Sequence, residues 1–183
     1  MPSLRLRTAG PEDAEQVARL HADSWRRHYR GAYADSFLDG DVVADRRSVW
    51  SSRFAAPAGG STVLAEDDTG LAGFAHAVFD HDERWGSLID NLHVAGDRRR
   101  TGVGTALLTR AATAVAERAT SPSVYLWVLE QNTAAQRFYL ACGGTRGEKA
   151  AVPPPGGVPA RLNGSPRRLR FSWPDAALVA PTG

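Results

Sequence analysis

The stretch that decides the fold runs Asn91-Leu92-His93-Val94-Ala95-Gly96-Asp97-Arg98-Arg99-Arg100-Thr101-Gly102-Val103-Gly104-Thr105-Ala106-Leu107-Leu108. A strand-like segment ends at Val94, arginines and glycines fill the turn, and an apolar helical pattern starts at Val103. Lacking β-carbons, Gly102 and Gly104 let main-chain N–H groups approach an anion closely, and the helix start adds partial positive charge at the same place. A pyrophosphate fits that chemistry. Taken alone, a Gly-x-Gly turn is more often a ligand-free connection. A Walker A loop requires Gly-Lys-Ser/Thr, and no lysine stands here. A dinucleotide fingerprint requires glycine or alanine three residues after Gly104, where the chain has Leu107.

Outward from the turn, Trp85 to Val94 reads as the strand before it, Val103 to Arg118 as the helix after it and Val124 to Glu130 as another strand, a central βαβ unit. Ser61 to Glu66 and Leu71 to Phe79 read as two strands joined by the hairpin turn Asp67-Asp68-Thr69-Gly70. Nearer the N-terminus, Leu4 to Arg7 alternates as a short strand. Gly10-Pro11 then opens a helix through about Arg27, whose apolar stripe is Ala14, Val17, Ala18, His21 and Trp25. A second helix is expected from Asp41 to Phe54. Thr133 opens a later helix with the capping-box pattern Thr133 to Gln136, and Gly143-Gly144 ends it. A loop holds Pro153, Pro154, Pro155 and Pro159, and Arg167 to Trp173 is the last strand.

Length and composition bound the rest. With 183 residues, 43% hydrophobic and 23% charged, the chain suits one domain spanning 1–183 and neither a disordered chain nor a disulfide scaffold. Cys142 is the sole cysteine, and the five histidines never fall at the close helical spacing of a metalloprotease pair, so no metal is expected. Twenty-two basic against 20 acidic residues leave +2, so a nucleic-acid partner is not implied despite a pI near 9.0. No apolar run approaches membrane-spanning length, and Met1-Pro2-Ser3-Leu4-Arg5 leads into alternation rather than a signal-peptide core. A soluble cytoplasmic protein without a membrane partner is the expectation.

Arg99-x-x-Gly102-x-Gly104 matches the Arg/Gln-x-x-Gly-x-Gly/Ala signature of the GNAT superfamily of acyl-CoA-dependent N-acyltransferases, and the chain resembles that family. The strand ending Leu92-His93-Val94 precedes the signature, and Asn132-x-x-Ala135-x-x-Phe138-Tyr139 and Cys142-Gly143-Gly144 follow it. The resemblance covers about residues 60 to 145. It implies an α/β (α+β) fold, a mixed and mostly antiparallel central sheet with helices on both faces and a splayed central strand pair. It also implies acetyl-CoA as co-substrate. Leu92, His93 and Val94 would hold the pantetheine arm by their main chain, the amides of Arg100, Thr101, Gly102, Val103, Gly104 and Thr105 the pyrophosphate, with Arg99 flanking, and Asn132 the cofactor by its side-chain amide. Tyr139 is similar to the family tyrosine that protonates the leaving thiolate, and a main-chain N–H near Val94 would stabilise the oxyanion.

Two positions depart from well-known branches. Glutamates that act there as general base fall on Leu88 and Trp127 here, which are apolar. Asp90, His93 and Glu130, and less directly His76 and His81, are the nearby candidates, with Asp90 and His93 on opposite faces of an ideal strand. Direct attack by a neutral amine is equally consistent. The acceptor should be recognised by the variable segments, about 25–55 and 150–170, where Trp25, Tyr29 and Tyr33, with Trp127 and Asp90, are candidate pocket residues. The resemblance thus implies an N-acetyltransferase acting on a primary amine of a small molecule or peptide. The competing reading is a non-catalytic acyl-CoA-binding regulatory module. A homodimer would be ordinary among similar proteins, and the Arg98 to Arg100 cluster is accounted for by a phosphate site.

Overall fold

A computed structural model describes residues 3–180; Met1 and Pro2, at the start of the N-terminal reading, lie outside the described residues. Arg7 ties the first strand, β1 (Arg5–Thr8), both to the turn after it and to its neighbour in the sheet. Its guanidinium donates to both Asp13 oxygens at 2.8 Å and to Glu66 on the adjacent strand at 2.7 Å. Asp13 also accepts from the Gly10 N–H at 2.8 Å, closing the turn that launches α1 (Ala14–His28). All five stripe residues of α1 are buried, as its spacing requires. A short α2 (Asp35–Asp39), which has no clear period in sequence, buries Phe37 and Leu38, and α3 (Val42–Ala55) buries Trp50 and Phe54.

β2 (Gly60–Asp67) and β3 (Gly70–Asp82) form the expected hairpin, with Gly70 at φ +123° and Asp67 Oδ1 accepting from the Thr69 N–H. β4 (Gly86–Val94) begins one residue later than the sequence suggests. Then come α4 (Val103–Arg118), β5 (Val124–Leu129), α5 (Thr133–Ala141), β6 (Thr145–Ala151) and β7 (Arg167–Trp173). β6 is an almost wholly exposed edge strand. With no face to bury, it shows none of the alternation that marks the others.

One mixed sheet of seven strands runs β1-β2-β3-β4-β5-β7-β6, antiparallel except at β4 and β5. The helices cover both faces. α1 and α3 pack Val17, Ala18, Trp50 and Phe54 against Leu64 and Phe74. On the other face α4 and α5 pack Leu107, Leu108, Val115 and Tyr139 against Ala75, Ile89, Leu126 and Phe171. A third cluster seats Trp25, Tyr33, Phe37 and Leu38 on Leu129 and Val152.

β4 and β5 pair only through Ser87↔Val124 and Leu88↔Tyr125, so beyond Leu88 they part and the sheet is split at its centre. A bulge sits on the other edge of β4: His76 faces Asn91 while Ala77 faces Ile89, which leaves Asp90 as the extra residue. The bulge overturns the ideal-strand expectation that Asp90 and His93 face opposite ways. Asp90 pairs with Arg53 of α3, and His93 bonds Ser24 of α1, so both look toward the α1/α3 layer.

Candidate active site

The split opens a cleft of about 530 Å³ bordered by β4, β5, the glycine turn and the faces of α1 and α5. Its wall groups follow from the backbone. Ala95 N–H donates to Ala72 of β3 at 2.8 Å. By strand alternation the N–H and C=O of Val94 therefore point the other way, into the split, and those of Leu92 do likewise. With no β5 partner there, these are the main-chain groups able to pair with an extended ligand arm.

At the mouth of the split the turn is built for an anion. Arg100 and Gly102 take left-handed conformations at φ +63° and +88°. The first α4 main-chain bond runs from Ala106 N–H to Gly102 C=O at 3.0 Å. The N–H groups of Gly102, Val103, Gly104 and Thr105 are thus left without intrahelical acceptors at a helix start. Gly104 lies between Phe138 and Val94, where a β-carbon would be in ordinary contact with both, at 3.5 and 3.7 Å. This donor array, the free strand edge and the glycine surface fit a coenzyme A pyrophosphate and pantetheine.

Asn132 is the N-cap of α5, its Oδ1 accepting from the Ala135 N–H at 3.1 Å. The cap lies one residue before the expected Thr133, and Gln136 donates to the Leu129 and Glu130 carbonyls instead of closing a capping box. Asn132 spends its oxygen on the helix and keeps its amide donors for the cleft. Tyr139 lines the cleft from α5 and is almost wholly buried. Its hydroxyl has no hydrogen-bond partner among the described residues, and burial raises its pKa, so it stays protonated across the working range.

Leu92, His93, Val94, Arg99, Arg100, Gly102, Gly104, Thr105, Asn132, Tyr139, Tyr29, Asp90 and Trp127 all border the cleft. Thr101 and Val103 do not: Thr101 Oγ1 donates to Arg98 O at 2.6 Å, and Val103 is buried against the sheet. Trp25 and Tyr33 lie beneath the cleft wall in the α1/α2 cluster, their rings 5.0 Å apart. Arg98 borders the cleft with Arg99 and Arg100 but is already engaged within the protein. Its guanidinium turns to Asp67 at 2.5 Å and to Thr69, tying the turn to the β2–β3 hairpin.

Among the base candidates, Glu130 pairs with Lys149, His81 bonds the Tyr125 hydroxyl at 2.6 Å and His76 bonds Thr62 at 2.7 Å. Only Asp90 and His93 of the five border the cleft. The His93 Nδ1 shares a 2.7 Å hydrogen bond with Ser24 Oγ, and burial pushes its pKa down to about 3, so the ring is neutral. Ser24 and His28 of α1, Arg137 and Phe138 of α5, and Leu126 and Val128 of β5 also line the cleft. Ser24 and His28 share one side of α1 at i, i+4, beside the apolar stripe, and are not among the residues that the sequence singles out.

A family model described as acetyltransferase (GNAT) family matches residues 15–143. The chain belongs to this family. It is an acyltransferase that uses acetyl-CoA as co-substrate. An uncharacterized N-acetyltransferase of Bacillus subtilis, YuaI, is 28% identical over 130 residues, covering 69% of this chain and 72% of that one. A probable N-acetyltransferase of Mycobacterium tuberculosis, Rv2775, is 29% identical over 150 residues, covering 75% and 77%. The PaiA N-acetyltransferase of Thermoplasma acidophilum, solved in complex with coenzyme A, superposes with a TM-score of 0.70 at 17% identity. That superposition covers 93% of this chain and 99% of that one. Among the described residues of this GNAT protein no helix is long and apolar enough to cross a membrane.

Proposed function

We propose that the protein acts as an N-acetyltransferase on a primary amine of a small molecule or peptide, by direct attack, with Tyr139 as general acid. The observation that carries the reading is the pairing of β4 and β5, which stops at Leu88↔Tyr125 and leaves Val94 and Tyr139 lining one space. Acetyl-CoA supplies the activated acetyl thioester there. Leu92 and Val94 hold the pantetheine arm as an added strand, the α4 amides and Arg99 and Arg100 hold the pyrophosphate, and the Asn132 amide donates to the arm. Val94 N–H stabilises charge developing on the carbonyl oxygen, and Tyr139 holds a proton at its hydroxyl for the departing sulfur.

The amine is expected to enter from the α1/α3 face, past Tyr29, Asp90 and Trp127. Attack needs its free-base form, and the proton can pass to Asp90 directly or through water, while burial, which holds the His93 pKa down at about 3, makes that ring a poor acceptor. Thiol release from acetyl-CoA against an amine panel tests the reading. Tight acetyl-CoA binding with no release for any amine would favour the non-catalytic acyl-CoA-binding module, for which the apolar Leu88 and Trp127 at the glutamate positions speak.

A further inference from the structure

On the sheet face away from α4 and α5, strand alternation and register set Trp127 and Leu129 of β5 beside Arg168 and Arg170 of β7. Both guanidinium groups lie over the Trp127 ring, with Cζ 4.3 and 4.6 Å from its centroid. Trp127 itself lines the cleft. The two arginines differ in what answers their charge. Arg170 donates to Glu148 at 2.5 Å. Arg168 has neither an ion-paired carboxylate nor a hydrogen-bond acceptor among the described residues, and while the Nε of both arginines is buried without a partner, only Arg170 has its charge answered.

A half-buried cation with no hydrogen-bonded counter-ion is unfavourable until an anion completes it. Burial lowers the Arg168 pKa; the side chain is not itself part of the cleft lining, and its position over Trp127, which is, sets it one ring behind the acceptor side. Arg168 is therefore a planar fork of donors over an indole that borders the cleft. That fork matches a carboxylate. Asp90 cannot fill the role, because its carboxylate is bound to Arg53 at 2.6 Å.

We propose that Arg168 binds a carboxylate of the acceptor, which makes the substrate class a small amine that also carries a carboxylate, as an amino acid does. The proposal rests on the acyl-transfer reading of the same cleft and deepens it by naming the acceptor's second functional group. Trp127 carries the guanidinium at the cleft's edge, and the acceptor's amine then lies toward Asp90 and His93, across the split from the bound carboxylate.

The experiment measures two things for L-amino acids and ω-amino acids, their carboxamides, the matching decarboxylated amines and phosphoethanolamine. One is thiol release with acetyl-CoA, and the other is equilibrium binding to the coenzyme A-bound protein by calorimetry. The best free acid should exceed its carboxamide about 10- to 100-fold in both affinity and kcat/KM. Arg168→Gln should erase that ratio mainly through KM, Arg168→Lys should recover part of it, and Arg167→Gln on the exposed neighbour should leave it intact. Equal or better carboxamides, decarboxylated amines or phosphoethanolamine would overturn the proposal, as would an Arg168→Gln loss shared equally by acid and amide, or the absence of acid binding. Arg168-dependent binding of an acid with no thiol release from any amine would uphold the carboxylate site and defeat the acyl-transfer reading instead.

Discussion

The two halves of the cleft are made of different material. The cofactor half is mostly backbone: strand groups left without a β5 partner where β4 leaves β5, the Val94 C=O taking only a long 3.5 Å bond from Arg27, and α4 amides that no carbonyl within the helix can satisfy. The acceptor half is made of side chains drawn from α1, α3, β4, β5 and β7, each held by a partner from another element. Arg53 reaches Asp90 from α3, Ser24 reaches His93 from α1, and Arg168 reaches Trp127 from β7. A backbone site depends on local conformation and is lost by one steric change, whereas a side-chain site is adjusted by degrees.

The largest effect should come from Gly102→Asp. At φ +88° any side chain is strained, and a carboxylate there would oppose the pyrophosphate charge, so measurable acetyl-CoA binding by calorimetry should vanish while the fold persists. Retained binding would show that the turn is not the phosphate cradle. Tyr139→Phe comes next. Removing the hydroxyl without changing the ring should lower kcat about 100-fold and leave coenzyme A affinity unchanged. An unaltered kcat would remove the general-acid role.

Acid should act on one half alone. His21, His76 and His93 lie between the sheet and the α1/α3 layer, and burial lowers the pKa of each, to about 4 for His76 and about 3 for His93. Because the folded values lie below 6.5, the unfolded chain takes up protons first. The stabilisation is complete above pH 6.5 and is lost as pH falls toward the folded values. Each ring should cost about 1.4 kcal/mol at pH 5.5 relative to neutral pH. Urea unfolding at pH 7.5 and 5.5 measures it, and His76→Asn should flatten the slope. In the cofactor half burial raises the pKa values of Tyr139 and Cys142, so both are already neutral and acid leaves them alone.

The same contrast explains what was legible in the sequence. The glycine turn, the βαβ unit, the hairpin and the α1 stripe are local patterns, and the ordered motifs from Leu92 to Tyr139 carry the cofactor half with them. The acceptor half depends on events that leave no local trace. A one-residue bulge at Asp90 turns it to the side of His93. The β5–β7 register, Trp127↔Arg170, brings residues more than forty positions from Trp127 onto its ring and turns the sequence feature Arg167-Arg168 into one exposed and one half-buried charge. Trp25 and Tyr33 had the right chemistry for a pocket wall, but α2 covers them, and that short helix has no period to announce it.

The smallest expected effect separates the halves most sharply. Arg53 donates to Asp90 at 2.6 Å and to Asn91 at 2.8 Å, and both members of the ion pair are about one-third exposed. Solvent screens such a pair, so Arg53→Gln should lower unfolding stability by less than about 1 kcal/mol. Its consequence for the acceptor is electrostatic rather than structural. Freed of its guanidinium, the Asp90 carboxylate would hold a protonated amine more firmly, lowering amine KM about threefold and lowering kcat as well, since the ammonium form cannot attack. The cofactor half touches none of these groups, so acetyl-CoA affinity should not move. A parallel change in acetyl-CoA affinity would mean that the bulge transmits across β4 and that the two halves are one mechanical unit.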